Sequence, residues 1–224
     1  MRNFMYAVIA LCGLLVFASY AQAADPVAVA VQKRYGAIKG MMAEFTQVLE
    51  HQESGSKEER TGVLYFSKPL NVRWETVSPI PELLLVTPDA VWNAFPDEDM
   101  AYKYPAELSE ESGSIVRVVT GQSDLEKDFI LENKGTQDGV ASLTLYPKNP
   151  TASMTEAELR VEVKTGLIRQ VTIIDFYNNR NTITFTSQTI DPQLDVALFS
   201  FTPPKGMKVE DRTQGGVMAK PLMQ

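Results

Sequence analysis

In Ala43-Glu44-Phe45-Thr46-Gln47-Val48-Leu49-Glu50, Ala43, Phe45, Gln47 and Leu49 alternate with Glu44, Thr46, Val48 and Glu50. A period of two turns one side of a β-strand toward a core and the other toward solvent. Downstream, residues 53–59 are polar and contain Gly55, which predicts a hairpin loop. A second strand runs through 61–67 and is broken by Pro69. Further strands are predicted at 72–76, with Val72 and Trp74 on one face, and at 83–86, 91–95 and 100–104. The run Leu83-Leu84-Leu85-Val86 is apolar without alternation, which suits a strand covered on both sides.

Upstream, Asp25-Pro26 opens a helix: Asp25 can cap free N–H groups and proline suits the first helical position. Val27, Val31, Tyr35 and Ile38 then recur at helical spacing. From 106 to 128 the alternation stops. Ile115, Val116, Val118 and Val119 lie between Gly113 and Gly121, and Ser123-Asp124 precedes Leu125 and Phe129. This segment is read as two short helices inserted between strands. Strands resume at 129–133, 141–146, 158–164, 167–175 and 182–188, with Thr165-Gly166 and Asn178-Asn179 supplying tight turns. A run of about ten strands curls or closes, and sequential hairpins favour an up-and-down order. The expectation is a mainly β fold: one strongly curved, all-antiparallel sheet with an N-terminal helix and a short helical insertion.

The ends frame this domain. Arg2, an apolar run from Phe4 to Ala18 and Ala21-Gln22-Ala23 form the pattern of a cleaved secretory signal over residues 1–23. The apolar run is shorter than the roughly 20 residues of a spanning helix. Cys12 lies inside that run behind bulky Leu11, so it reads as part of the signal and not as a lipid-modified cysteine. The folded domain is expected over 24–210, with a flexible tail over 211–224.

Of 224 residues, 28 are acidic and 21 basic, giving a net charge of −7. That balance argues against nucleic acid, whose phosphates need clustered Lys and Arg, and against lasting adhesion to an anionic membrane. Beyond the signal there is no cysteine and a single histidine, His51, which removes disulfides, thiolate catalysis and a Cys-rich zinc site. No Gly-x-Ser-x-Gly elbow, phosphate-cradling glycine loop or His-Glu-x-x-His helix is present, so nothing points to an enzyme or a cofactor. What stands out is apolar content on a curved sheet: Phe66, Trp74, Leu83, Leu85, Trp92, Phe95 and several Met residues. The inserted helices either fill the concave face permanently or act as a lid over an apolar cavity.

Several segments together resemble the LolA family of periplasmic lipoprotein carriers. They are Phe45-Thr46-Gln47; Gly62-Val63-Leu64-Tyr65-Phe66-Ser67-Lys68-Pro69 with Val72-Arg73-Trp74-Glu75 and Pro79; Leu83-Leu84-Leu85-Val86 with Val91-Trp92 and Phe95-Pro96; Asp175, Asn178-Asn179 and Thr182-Ile183-Thr184-Phe185; and Phe199-Ser200-Phe201-Thr202-Pro203-Pro204-Lys205-Gly206 with Val209. The resemblance implies an unclosed β-barrel with a helical lid. It implies a monomer that takes acylated lipoproteins from an inner-membrane ABC transporter to an outer-membrane receptor, without cofactor or bond chemistry. Phe45, Phe66, Trp74, Leu85 and Trp92 are expected to line or border the acyl cavity, and Ile115, Val116 and Val119 to form the lid's apolar face. Many members place an arginine before the proline that follows the second strand, where it latches the lid. Here that position holds Lys68, so Lys68 or Arg73 is expected as the latch. The alternative is a lipid- or glycolipid-binding protein, or a lipoprotein-sensing regulator, of the same fold.

Overall fold

The computed structural model describes residues 24–110 and 115–214. The expected signal peptide lies outside the described residues, as do the side chains of Ile115 and Val119 in the expected lid.

Helix α1 spans Pro26–Ala37. The Asp25 carboxylate accepts hydrogen bonds from the N–H groups of Val27 and Ala28 at 2.8 and 3.1 Å, which satisfies two of the donors a helix start leaves free. Ala28, Val31 and Tyr35 are its buried stripe. The chain then turns into β1 (Gly40–Glu50) and continues through β2 (Lys57–Ser67), β3 (Asn71–Ser78), β4 (Glu82–Val86), β5 (Val91–Phe95) and β6 (Met100–Tyr104), each antiparallel to the one before. After the insertion, which holds α2 (Ile115–Val119) and α3 (Leu125–Asp128), come β7 (Phe129–Gln137), β8 (Val140–Pro147), β9 (Glu156–Glu162), β10 (Leu167–Ile174) and β11 (Arg180–Ile190). A last strand, β12, is Lys208–Asp211.

The sheet order is β12-β6-β5-β4-β3-β2-β1-β11-β10-β9-β8-β7, so the sheet is not closed. β11 returns to pair with β1, which makes β1 the centre and leaves β12 and β7 as the free edges. β6 and β7 are adjacent in sequence but belong to opposite flanks. Residues 105–128 must therefore cross from one flank to the other. The described parts of this insertion lie on the sheet's inner face, where the 3-10 turn Ala106–Glu110 meets β5, α2 meets β10 and α3 meets β7. One apolar core joins α1, α2 and the strands of both flanks, so the sheet curls around its helices.

Two expectations need correction. The sheet is not all antiparallel, because β12 pairs with β6 in parallel. It reaches that edge only after crossing the outer face, and its residues, Lys208-Val209-Glu210-Asp211, show no alternating pattern that would mark a strand. Ordered chain also continues past Glu210. The Arg212 N–H donates to the Lys103 carbonyl at 2.8 Å, and its guanidinium lies 4.5 Å from the centre of the Tyr102 ring. Residues 215–224 of the expected tail lie outside the described residues.

Candidate functional site

The inner face is built by the period-two pattern of its strands. Met41, Ala43, Phe45, Gln47 and Leu49 of β1 point inward, as do Leu64 and Phe66 of β2 and Val72, Trp74 and Thr76 of β3. Phe45 and Trp74 are the centre of this surface, with ring centroids 4.6 Å apart and planes tilted by 47°. Their closeness depends on Gly62, which pairs with Phe45 across the ladder. A Cβ at Gly62 would lie 2.6 Å from Phe45 Cζ and 2.0 Å from the Glu75 carbonyl oxygen. The missing side chain is the space the phenyl ring occupies.

The helices cover this surface. Tyr35 of α1 is 1% exposed, and its hydroxyl accepts a hydrogen bond from the Ile168 N–H at 3.3 Å. Burial pushes that hydroxyl up to about 12, since a dry site favours the neutral phenol. Val116 and Val118 of α2 are buried in the same core. The insertion is held by amide side chains: Gln32 Nε2 donates to the Ser123 carbonyl at 2.7 Å, and Gln122 Nε2 to the Pro69 carbonyl at 3.3 Å. Gly121 ends α2 directly against the Tyr35 ring. Sequence reasoning missed these three tethers; Gly121 was visible only as a boundary.

The expected cavity residues fall into two groups. Phe45, Phe66 and Trp74 come together on the inner face. Leu85 and Trp92 do not join them. Leu84, not Leu85, pairs with Trp74, so Leu85 turns outward, where it pairs with Trp92. Both belong to a separate outer cluster with Leu83, Ala94 and Ala101, covered by Phe199, Phe201 and Met207 of the C-terminal segment. The unbroken apolar run 83–86 concealed this, because it serves both faces.

The expected latch residues also have other partners. Lys68 Nζ donates to the Tyr35 and Gly36 carbonyls, both at 2.7 Å. It caps the end of α1, where free carbonyls and the helix dipole favour a cation. Arg73 extends from the outer face: it donates to the Glu75 carboxylate at 2.6 Å and to the Leu198 carbonyl at 3.0 Å. Among the described residues, neither bonds the inserted helices. Of the expected lid residues, Val116 is buried against the core.

Chemically the interior is apolar with scattered neutral groups. The buried polar residues among those described are Gln47, Thr76, Asn93, Thr120, Ser123, Thr144 and Thr172, and none is charged. Trp74 Nε1 and Gln47 Oε1 are buried without a hydrogen-bond partner among the described residues. Among the described residues, no group of three or more His, Cys, Asp or Glu is placed to hold a metal ion.

A curled, open sheet with a dry inner face and helices laid across it defines a protein built to enclose apolar matter. The family model described as outer membrane lipoprotein carrier protein LolA matches residues 36–202, and the chain belongs to that family. The outer-membrane lipoprotein carrier protein of Cupriavidus necator is 31% identical over 214 residues, covering 93% of this chain and 99% of that one. The protein of the same name from Dechloromonas aromatica is 27% identical over 170 residues, covering 75% and 80%. A solved structure of an uncharacterised conserved protein from Thermus thermophilus shares the fold, with a TM-score of 0.55 at 15% identity, covering 83% of this chain and 97% of that chain.

Proposed function

We propose that this protein is a carrier that encloses the acyl chains of lipoproteins and shuttles them through the periplasm to the outer membrane. The observation that carries this reading is the family match over 36–202, which spans every strand from β1 to β11 and the insertion between them. The geometry supports it through the apolar inner face and the helices that cross it. Exposing an acyl chain of about 15 methylenes to water costs on the order of 12 kcal/mol. A lipoprotein with several such chains needs a dry enclosure to cross an aqueous space.

In this reading Phe45, Phe66 and Trp74 contact the chains, α2 with Val116 is the part of the cover that moves, and residues 1–23 direct export. Cargo arrives from an inner-membrane ABC transporter and leaves to an outer-membrane receptor. Release follows if the interior holds the chains no more tightly than the acceptor does, and movement of the cover meets that condition by shifting populations. The test is to purify the mature protein with a triacylated lipoprotein and offer an acceptor. Co-isolation followed by release is expected. Failure to bind any acylated lipoprotein, with free lipid bound instead, overturns the reading.

A further inference from the structure

The β1–β2 loop, the β3–β4, β5–β6, β8–β9 and β10–β11 turns and the start of β7 all lie at one end of the sheet. The register fixes this, with Glu50 paired to Lys57 and Arg180, Ile174 to Glu156, and Phe129 to Pro147. Most of the large apolar side chains left exposed among the described residues gather at this rim: Val77 and Ile80 at the β3–β4 turn, Ile130 opposite Tyr146 on β7 and β8, and Phe176 and Tyr177 in the β10–β11 turn. Phe176 and Tyr177 are 68% and 71% exposed, and their rings meet edge to face at 5.4 Å.

The turn that carries them is prepared for a dry environment. The Asp175 N–H donates to the Asn179 carbonyl, the Phe176 N–H to the Ala152 carbonyl and the Asn178 N–H to the Asp175 carbonyl. The N–H groups of Tyr177 and Asn179 both donate to Asp175 Oδ1 at 2.8 Å. All five consecutive backbone donors therefore have partners inside the protein. Moving this tip out of water orphans no N–H group, which is the main cost of placing irregular backbone in an apolar medium.

The apolar positions are spread along the rim from β3 to β7 instead of converging on one groove, which matches a flat partner better than a pocket. Tyr and Phe suit the boundary between headgroups and hydrocarbon. The same rim carries Asp97, Glu98 and Asp99 at the β5–β6 turn, on a chain of net charge −7, which opposes an anionic surface. We propose that this rim meets the surface of a bilayer of uncharged, zwitterionic lipids, with Phe176 and Tyr177 entering the headgroup layer. Attachment through a few side chains is weak and reversible.

The test is co-sedimentation of cargo-free mature protein with phosphatidylcholine vesicles, and with vesicles containing phosphatidylglycerol, at low salt. Partition onto phosphatidylcholine is expected, with weaker partition as the anionic lipid increases. Phe176→Ser lowers it several-fold and Phe176→Ser with Tyr177→Ser about tenfold or more. Val163→Ser, an exposed position at the opposite end of the sheet, leaves it unchanged. Unaltered thermal unfolding of each variant confirms the fold, since all three side chains are exposed. No partition onto phosphatidylcholine overturns the proposal. So does partition that survives loss of both rings, that falls equally with Val163→Ser, or that rises with anionic lipid. Loss of lipoprotein transfer without any change on vesicles assigns the rim to a protein partner and likewise overturns it. No cargo is present in the vesicle assay, so its failure leaves the carrier reading standing, and failure of lipoprotein co-isolation leaves the partition result standing.

Discussion

At Gly121 the backbone has φ of +66°, and a Cβ would lie 2.2 Å from the Tyr35 ring. Gly121→Ala therefore meets left-handed strain and a buried aromatic ring together, and a loss of about 2–4 kcal/mol is expected in urea unfolding. Gly135→Ala is the control: its φ is +97°, but nothing lies within 4 Å, so only the backbone strain is felt and the loss is smaller. Tyr35 gives a second prediction. Its hydroxyl stays neutral up to about 12 in the fold, while an unfolded tyrosine ionises near 10. The unfolded state thus loses a proton first, and stability that is complete below pH 10 declines as pH rises toward 12. Unfolding midpoints measured from pH 9 to 11.5 should fall more steeply for the native chain than for Tyr35→Phe. A variant slope equal to the native one would remove this role. Neither effect was legible in the sequence, since Gly121 shows there as a breaker and Tyr35 as one apolar position among four. The pairing that matters joins residues far apart in the chain.

Among the elements, strands were legible and their partners were less so. Alternation marks β1 and β2, but 83–86 has none, and so the sequence could not say that Leu84 turns inward and Leu85 outward. The C-terminal segment was harder still, because the outer cluster it covers is recognisable only once β4, β5 and β6 are neighbours. Arg73 ties that segment down through the Leu198 carbonyl. In Arg73→Ala, amide exchange is expected to quicken over 196–201, while α2 keeps its native protection. Lys68 acts on a different element. Lys68→Ala removes two hydrogen bonds from the last turn of α1 at an exposed site, a loss of about 1 kcal/mol. Exchange should quicken at the end of α1 and the start of β1. If α2 loosens first in either variant, the tether to the insertion runs through that cation after all.

For the whole molecule, the topology does what the sequence pattern only suggested. An insertion between two strands of one hairpin can hang anywhere, but β6 and β7 stand on opposite flanks, and the described parts of the insertion between them lie on the inner face. The enclosed region and the outer cluster are thereby separated by a single sheet, and the chain's two tryptophans report on them individually. Trp74 is 1% exposed beside Phe45 on the inner face, whereas Trp92 stacks edge-on against Phe201 at 5.4 Å on the outer one. Binding of an acyl chain under the helices must change the surroundings of Trp74, whose indole N–H has no partner among the described residues, and has no route to Trp92 except through the sheet. Titration with a long-chain acyl ligand should shift the emission of the native protein and of Trp92→Phe alike, and leave Trp74→Phe silent. Trp74→Phe keeps an aromatic ring on Phe45, so its fold is expected to survive, and unfolding in urea checks that it does. A signal that instead vanishes with Trp92→Phe would place the acyl site on the outer cluster, beneath the C-terminal segment, and the helices would then be permanent core.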